Sequence, residues 1–234
     1  YRRVGRVIDL LPSTVPVLGC TATANDRVIA DIEHQLGEDL LLVRGALGRA
    51  SLAVRVLELP SQGERLAWLA REIPRMDGTG VVYCLTITDA NRVTQWLRRE
   101  GIDAVSYTGA TDPDDRIEIE AALSENRVKV VVATSALGMG YDKPDLAFVV
   151  HFQSPGSPIA YYQQIGRAGR ALDTAAVVLL RGHEDRDIQD WFIETAFPDR
   201  VEAEAVIHFL EEQDDPVGVG AIEPVVNLRR SRLD

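Results

Sequence analysis

The segment GVVYCLTITDANRVTQWLRREGIDAVSY (80–107) contains one unit of the fold. Its first six residues form an unbroken apolar run, which is typical of a strand buried on both faces. Apolar residues then recur at helical spacing up to Gly101, which marks the end of a helix. A second strand, IDAVSY, is predicted at 102–107. Strand, helix and strand in this order predict a βαβ unit with two parallel strands.

The same alternation continues in both directions. It predicts an α/β fold, with a parallel sheet flanked by helices and followed by a C-terminal helical extension. The six predicted strands are 52–59, 80–85, 102–107, 128–134, 146–152 and 175–180. The helix starts are marked by the pair Ser61 and Glu64, by Thr88, by Asp112 with Pro113, and by Ser157 with Pro158.

The two ends of the chain have patterns of their own. Residues 1–48 predict helix, strand, helix and strand, with the strands at 15–20 and 40–45, and a linker follows up to Ser51. The tail predicts either a helix-turn-helix cut off in its recognition helix or a solvated basic helix end that carries Arg229, Arg230 and Arg232. Because the sequence starts at Tyr1 without Met, we interpret it as a segment of a longer protein.

Composition excludes several classes of protein. The chain has 25 Lys and Arg against 36 Asp and Glu, a net charge of -11, which argues against non-specific nucleic-acid binding but not against a local basic face. The two cysteines, Cys20 and Cys84, lie too far apart for a Cys-x-x-Cys zinc site, and they indicate a reducing cytoplasm. No apolar run is long enough to cross a membrane. No Gly-Lys dipeptide occurs, so the chain has no P-loop.

The segment SPIAYYQQIGRAGR (157–170) is the most specific candidate site. Arg167 and Arg170 are three residues apart, so on a helix both guanidinium groups point the same way, with Gln163 one turn earlier. Paired, permanently charged forks suit the terminal phosphate of a nucleotide. The alternative is a helix that ends in a glycine cap with arginines in its last turn.

The segment VVVATSALGMGYDKPD (130–145) predicts a strand followed by a phosphate-binding turn. Thr134 supplies a hydroxyl, and Gly138 and Gly140 open the backbone, so that amides can hold a phosphate. Asp142 follows on the same loop. An ordinary turn between a strand and a helix is the alternative.

Two further turns carry threonine hydroxyls. Thr86 and Thr88 follow the strand at 80–85 and could contact a phosphate, unless Thr88 only caps its helix. Thr21 and Thr23 lie in TATAND (21–26), which otherwise is a plain turn from strand to helix.

Taken together, GVVYC, GMGYDKPD and HFQSPGSPIAYYQQIGRAGR resemble the second RecA-like domain of a RecQ-type DNA helicase of superfamily two. PVLGCTATANDRVIADIEHQLG resembles the end of the first RecA-like domain of the same family. The resemblance runs from about Tyr1 to Arg181. It implies three parts: the end of the first domain in residues 1–48, the second domain in 49–183, and a helical connector, with the possible start of a winged helix, in 184–234.

The resemblance also implies roles for single residues. Arg167 and Arg170 would be arginine fingers facing ATP, and Gln163, Gly138 and Asp142 would contact the nucleotide. Thr86 and Thr134 would hold the DNA backbone, and Thr21 and Thr23 would couple ATP hydrolysis to DNA movement.

The implied protein is an ATP-dependent 3′ to 5′ DNA helicase of repair and recombination. It acts on single-stranded and partially duplex DNA, with ATP and Mg²⁺ bound mainly by the first RecA-like domain, so this chain alone is expected to be inactive. A DNA-binding module and an RNA-directed motor are the alternatives. Three departures stand out: YTGA (107–110) replaces a His-containing stretch, Gln164 replaces a usual Glu, and no zinc-binding cysteines follow the second domain.

Overall fold

The computed structural model describes most of the chain, in two compact units, Tyr1–Gly182 and His183–Asp234. No helix in this described part is both long and apolar enough to span a membrane. The described residues are 7–8, 10–12, 14–21, 25–36, 41–45, 48–138, 141–194, 200–213 and 215–226.

The first unit is built on one sheet of six strands, all parallel, in the order β1-β6-β5-β2-β4-β3. The predicted α/β fold with a parallel sheet is confirmed, and all six predicted strands are present. Their bounds are β1 Leu52–Glu58, β2 Gly80–Tyr83, β3 Ala104–Tyr107, β4 Val130–Ala133, β5 Phe148–His151 and β6 Ala175–Arg181.

Helices cover both faces of this sheet, and the second unit is helical. The first unit contains α1 Asp26–Leu36, α2 Gln62–Glu72 with a 3₁₀ turn at Ile73–Arg75, α3 Ile87–Arg99, α4 Pro113–Ser124 and α5 Pro158–Ile165. The second unit, which is the predicted C-terminal helical extension, contains α6 Asp185–Glu194, α7 Arg200–Glu211 and α8 Val219–Val226.

The apolar runs form strands because their side chains are buried on both faces. Every residue of β2, β4 and β5 is buried. On one face, Val82 and Val132 pack with Leu97 of α3. On the other face, Val81 and Val131 pack against side chains of the helices that cover that face. Each such side chain contributes about 1.5–3 kcal/mol on burial, so these three strands hold the sheet together.

Local side-chain caps fix where the helices start. Ser61 Oγ accepts from the Glu64 amide at 3.2 Å, and the Glu64 carboxylate accepts from the Ser61 amide at 2.9 Å, so the predicted capping box is confirmed. Ser157 caps α5 as predicted, by accepting from Ala160. The predicted cap at Thr88 is wrong: Thr86 caps α3, and Thr88 lies in its first turn.

The strands predicted at 15–20 and 40–45 are not formed in the described residues. Residues 15–21 and 41–45 have no regular structure and are exposed. A strand is stable only beside a neighbour to which its backbone can bond. Among the described residues no strand pairs with these segments, whereas α1 between them forms as predicted because its hydrogen bonds are internal.

We expect the substitution Gly80→Ala to destabilise the chain by about 1–3 kcal/mol. Gly80 is the register partner of Phe148, and a Cβ at Gly80 would lie 2.2 Å from a carbon of the Phe148 ring. The free energy of unfolding, measured by urea titration followed by circular dichroism, tests this.

Gly63→Ala is the matched control for this substitution. Gly63 lies in α2, and the nearest atom to an added Cβ is at 4.0 Å. Helix propensity should then stabilise the chain by up to about 1 kcal/mol. Equal effects of the two substitutions would contradict the close approach at Gly80.

Candidate functional site

The connection between β4 and β5 positions most of the candidate site. Both strands run in the same direction, so residues 134–147 lead from the carboxyl end of β4 to the amino end of β5. The described part of this connection contains no helix. It ends against the amino end of β2, where the Ala147 amide donates to the Thr79 carbonyl at 2.9 Å.

The connection between β4 and β5 separates residues that we expected to lie together on one loop. Thr134 lies at the carboxyl edge of the sheet, directly after β4. Lys143 lies toward the amino edge, because its Nζ donates to the Ser124 carbonyl at the end of α4 and pairs with Asp145 at 2.7 Å. Asp142, the neighbour of Lys143 in the chain, therefore also lies toward the amino edge, away from Thr134.

The two arginines do not lie on a helix. Helix α5 ends at Ile165 with Gly166 as its cap, and the chain then turns through Gly169, which has a positive φ of 61°. The prediction that Arg167 and Arg170 share a helix face is therefore wrong. A Cβ at Gly169 would lie 2.8 Å from the Cβ of Ala175, so glycine is required for this turn.

The two guanidinium groups nevertheless reach consecutive residues. Arg167 Nη1 donates to the Tyr141 carbonyl at 2.7 Å, and Arg170 Nη1 donates to Asp142 Oδ1 at 2.8 Å. The Arg170 side chain is 46% exposed and that of Asp142 is 58% exposed. The structure thus brings together three of the predicted site residues, with one arginine half-buried and the other facing solvent.

The half-buried Arg167 lies beside the phenol of Tyr83. Burial raises the pKa of Tyr83 to about 12, although the neighbouring guanidinium of Arg167 opposes this rise. The phenol is therefore neutral, and it donates to the Leu137 carbonyl at 3.2 Å. Within the described residues, the buried Nε of Arg167 has no hydrogen-bond acceptor. One N–H donor of Arg167 is therefore buried beside the connection between β4 and β5 without an acceptor in the part of the chain that the structure describes.

A neutral histidine lies next to this phenol. His151 is completely buried, and its ring lies 5.6 Å from that of Tyr83 and 5.0 Å from that of Tyr161. Its Nε2 is 2.9 Å from Oε1 of Gln164. Burial lowers the pKa of His151 to about 4, against the opposing hydrogen bond to Gln164. An uncharged amide at position 164 suits this uncharged ring.

A second polar cluster lies at the carboxyl edge and was not predicted. Asp89 accepts from the Thr86 hydroxyl at 2.8 Å and from Gln153 Nε2 at 2.9 Å. Gln153 in turn accepts from the Leu85 amide at 2.9 Å. The hydroxyl of Thr86 also accepts from the Asp89 amide. The only proton of this hydroxyl is therefore donated within the protein.

A local signal for part of this cluster is present in the sequence. Thr86 and Asp89 form a Thr-x-x-Asp pattern before an apolar helix, which is typical of a capping box. Gln153 lies 64 residues beyond Asp89 and has no comparable signal.

The other predicted residues lie apart from these clusters. Thr134 is buried, and its hydroxyl accepts from the Ala136 amide at 3.4 Å. A Cβ at Gly138 would lie 2.8 Å from the Ser135 carbonyl oxygen. Gln163 is exposed on α5, and Thr21 is exposed in an irregular segment. Outside the described residues lie Thr23, Gly140, Arg229, Arg230 and Arg232.

The donors and acceptors present fit an anionic ligand better than a metal ion. Arg170 offers an exposed guanidinium, and Arg167 an unused N–H. No three His, Cys, Asp or Glu side chains in the described ranges are grouped so that they could hold a metal.

Comparison with known proteins shows similarity to helicases. Residues 64–172 match the helicase conserved C-terminal domain. A putative ATP-dependent DNA helicase Q1 from Caenorhabditis briggsae is 40% identical over 160 residues, which are 67% of this chain and 26% of that protein. The probable ATP-dependent DNA helicase RecS of Bacillus subtilis is 31% identical over 217 residues, 92% of this chain and 44% of that protein. The chain thus spans less than half of each relative.

Solved structures support the fold. Dbp5 of Saccharomyces cerevisiae, bound to RNA and ADP BeF3, is similar with a TM-score of 0.67 and 21% sequence identity. The match covers 81% of this chain and 52% of that one. The predicted RecA-like fold, with its parallel sheet flanked by helices, is therefore confirmed.

We expect the buried His151 to make the first unit less stable in acid. Its pKa is about 4 when folded and 6.5 when unfolded, so only the unfolded chain takes up a proton between these values. The free energy of unfolding should therefore fall as the pH falls through this window, by roughly 3 kcal/mol in total.

Urea unfolding at pH 7 and pH 4.5, for the wild type and for His151→Gln, measures this contribution. The difference between the two pH values should shrink in His151→Gln, since that variant has no ring to protonate. The exposed His183→Gln variant is the control. The same pH dependence in all three proteins would show that His151 does not resist protonation.

Proposed function

We propose that this chain is a fragment of a RecQ-like, ATP-dependent helicase that translocates 3′ to 5′ on single-stranded DNA and unwinds duplexes. The match of residues 64–172 to the helicase conserved C-terminal domain and the similarity to the ATP-dependent DNA helicases Q1 and RecS support this proposal. In this proposal the fragment supplies two arginines to the nucleotide site and half of the DNA track. The observation that carries it is the convergence of Arg167 and Arg170 on the consecutive residues Tyr141 and Asp142.

Arg170 is suited to act as the finger because its present partner is easily exchanged. An exposed ion pair such as Arg170–Asp142 contributes only about 0–1 kcal/mol. A phosphate oxygen could therefore take the place of the carboxylate at little cost. The planar guanidinium would then offer two parallel donors to it.

Arg167 would act as a fixed positive charge behind Arg170. One of its terminal nitrogens is bonded to the Tyr141 carbonyl, which limits the positions of the guanidinium. The next residue, Asp142, would link the nucleotide in the cleft to this loop. Gln163 and Gly138 would also contact the nucleotide. Negative charge grows on the terminal phosphoryl group of ATP during its transfer, and arginines placed there are worth on the order of 10³ to 10⁵ in rate.

We propose that the rest of the nucleotide site belongs to a first RecA-like domain, of which residues 1–48 form the end. The chain has no P-loop sequence, so the phosphate cradle and most Mg²⁺ ligands would come from that domain. Residues 49–183 would form the second RecA-like domain and 184–234 a connector. The isolated chain would then hydrolyse no ATP.

The proposed DNA track includes Thr86 and Thr134 at the carboxyl edge, together with Thr21 and Thr23. Since the Thr86 proton is donated to Asp89, a contact between this hydroxyl and a DNA phosphate would have to replace that bond. A track confined to one edge is compatible with the overall charge of -11, because only the groove has to be basic or neutral.

We expect Arg170→Ala, made in the longest natural chain that contains this segment, to lower ATP turnover at least about 10³-fold. Binding of single-stranded DNA should stay within about twofold, because Arg170 is assigned to the nucleotide and not to the track. Turnover is measured with single-stranded DNA and with RNA as activators.

Arg71→Ala is the matched control, since Arg71 also forms an exposed ion pair, with Glu72 at 2.6 Å, but at the far end of α2. Stimulation by RNA and not by DNA would favour an RNA-directed motor. A wild type that binds DNA but turns over no ATP with either activator would favour a DNA-binding module. Loss of both DNA binding and turnover in Arg170→Ala would count against the finger role.

A further inference from the structure

An arginine from the linker before β1 holds the segment that carries the two site arginines. Arg49 Nη1 donates to the Gly166 carbonyl at 2.8 Å, and Arg49 Nη2 donates to the Gly169 carbonyl at 2.8 Å. These two carbonyls lie on either side of Arg167, and Gly169 immediately precedes Arg170. We propose that Arg49 is a positioning residue that couples the linker to the placement of the arginine fingers; this inference rests on the function proposed above.

The two carbonyls need donors because the helix has ended. Beyond the Gly166 cap, the chain turns away and offers no amides four residues ahead in helical geometry. Side chains supply the donors instead. Besides Arg49, the Nε of Arg170 donates to Gly166 at 3.2 Å, and Ser51 Oγ donates to Gly169 at 3.0 Å.

Only an arginine matches this arrangement from position 49. Its two terminal nitrogens are fixed in one plane, so each can donate to one carbonyl without a movement of the guanidinium group. A lysine ammonium is a single point donor on a flexible stem and would reach one carbonyl at a time. Arg49 is also partly buried, so water competes weakly for these bonds.

The linker is tied to the sheet at the same place. The Ala175 amide donates to the Ser51 carbonyl at 2.7 Å, and Leu52 then begins β1 in register with Ala175. A movement of the linker at Gly48 and Arg49 would therefore reach the fingers through the Arg49 side chain before it reached the sheet. This makes the finger position depend on where the preceding domain holds the linker.

Two backbone bonds keep the segment folded without Arg49. The Gly169 amide donates to the Leu146 carbonyl at 2.9 Å, and the Ala171 amide donates to the Pro144 carbonyl at 2.8 Å. Removal of the Arg49 side chain should therefore displace the fingers rather than unfold the site. A displacement of about 1 Å at a catalytic group costs on the order of 10²-fold in rate.

The test compares Arg49→Ala, Arg49→Lys and the control Arg55→Ala in the longest natural chain. Arg55 is exposed on β1, six residues further on. In Arg49→Ala we expect kcat for DNA-stimulated ATP turnover to fall about 10²-fold, with the KM for ATP and the Kd for single-stranded DNA within about threefold. Arg49→Lys should recover part of kcat, and Arg55→Ala should match the wild type.

Amide hydrogen exchange supplies a second readout that needs no ATP. Exchange at Gly169 and Ala171 should be faster in Arg49→Ala than in Arg55→Ala, because the turn around these amides loses its clamp. Circular dichroism and the thermal midpoint confirm that both variants are folded.

The outcomes separate this inference from the proposed function. A wild type without nucleic-acid-stimulated turnover refutes the function, and unchanged exchange in Arg49→Ala then refutes the clamp independently. If the wild type is active and Arg170→Ala is not, an Arg49→Ala variant with normal kcat overturns the positioning role, whatever its exchange. A fall in DNA affinity equal to the fall in kcat would also overturn it.

Discussion

Strands β4 and β5 run in the same direction, so the chain must return from the carboxyl edge of the sheet to the amino edge between them. Elsewhere in the sheet a helix makes this return, as α3 and α4 do. Between β4 and β5 the described residues, 134–138 and 141–147, contain no helix. Because these residues form no helix, their carbonyls accept no helical hydrogen bonds, and they face the turn after α5. The contacts of Arg167 and the position of Asp142 both depend on this connection.

Two aromatic side chains buried beside this connection are uncharged. Tyr83 stays a phenol and His151 a neutral ring, because burial opposes ionisation of either. The cationic groups each have an oxygen partner: Arg167 has the Tyr141 carbonyl, Arg170 the Asp142 carboxylate and the buried Lys143 the Asp145 carboxylate. Charge is therefore retained in this region where an oxygen pairs with it.

Strands β2, β4, β5 and β6 could be predicted because they lie in continuous apolar runs, and β1 because its residues alternate. The caps at Ser61 and Ser157 could be predicted because they involve residues three positions apart. The strands at 15–20 and 40–45 could not be judged in this way, since a strand requires a neighbour that local sequence does not reveal. The arginine spacing was read as helical, but the helix ends at Ile165 with Gly166 as its cap, before either arginine. Arg49 was missed because its partners are 117 and 120 residues away.

The bonds of Arg49 go to main-chain oxygens, which every residue has. The clamp therefore recognises the path of the backbone and not the side chains along it. Glycine is demanded at position 169, where the chain passes close to Ala175, and a small residue at the buried position 168. Apart from the two site arginines, the other positions of this turn should tolerate sequence change as long as the turn keeps its shape. At those positions, selection acts on the curvature of the backbone first and on composition second.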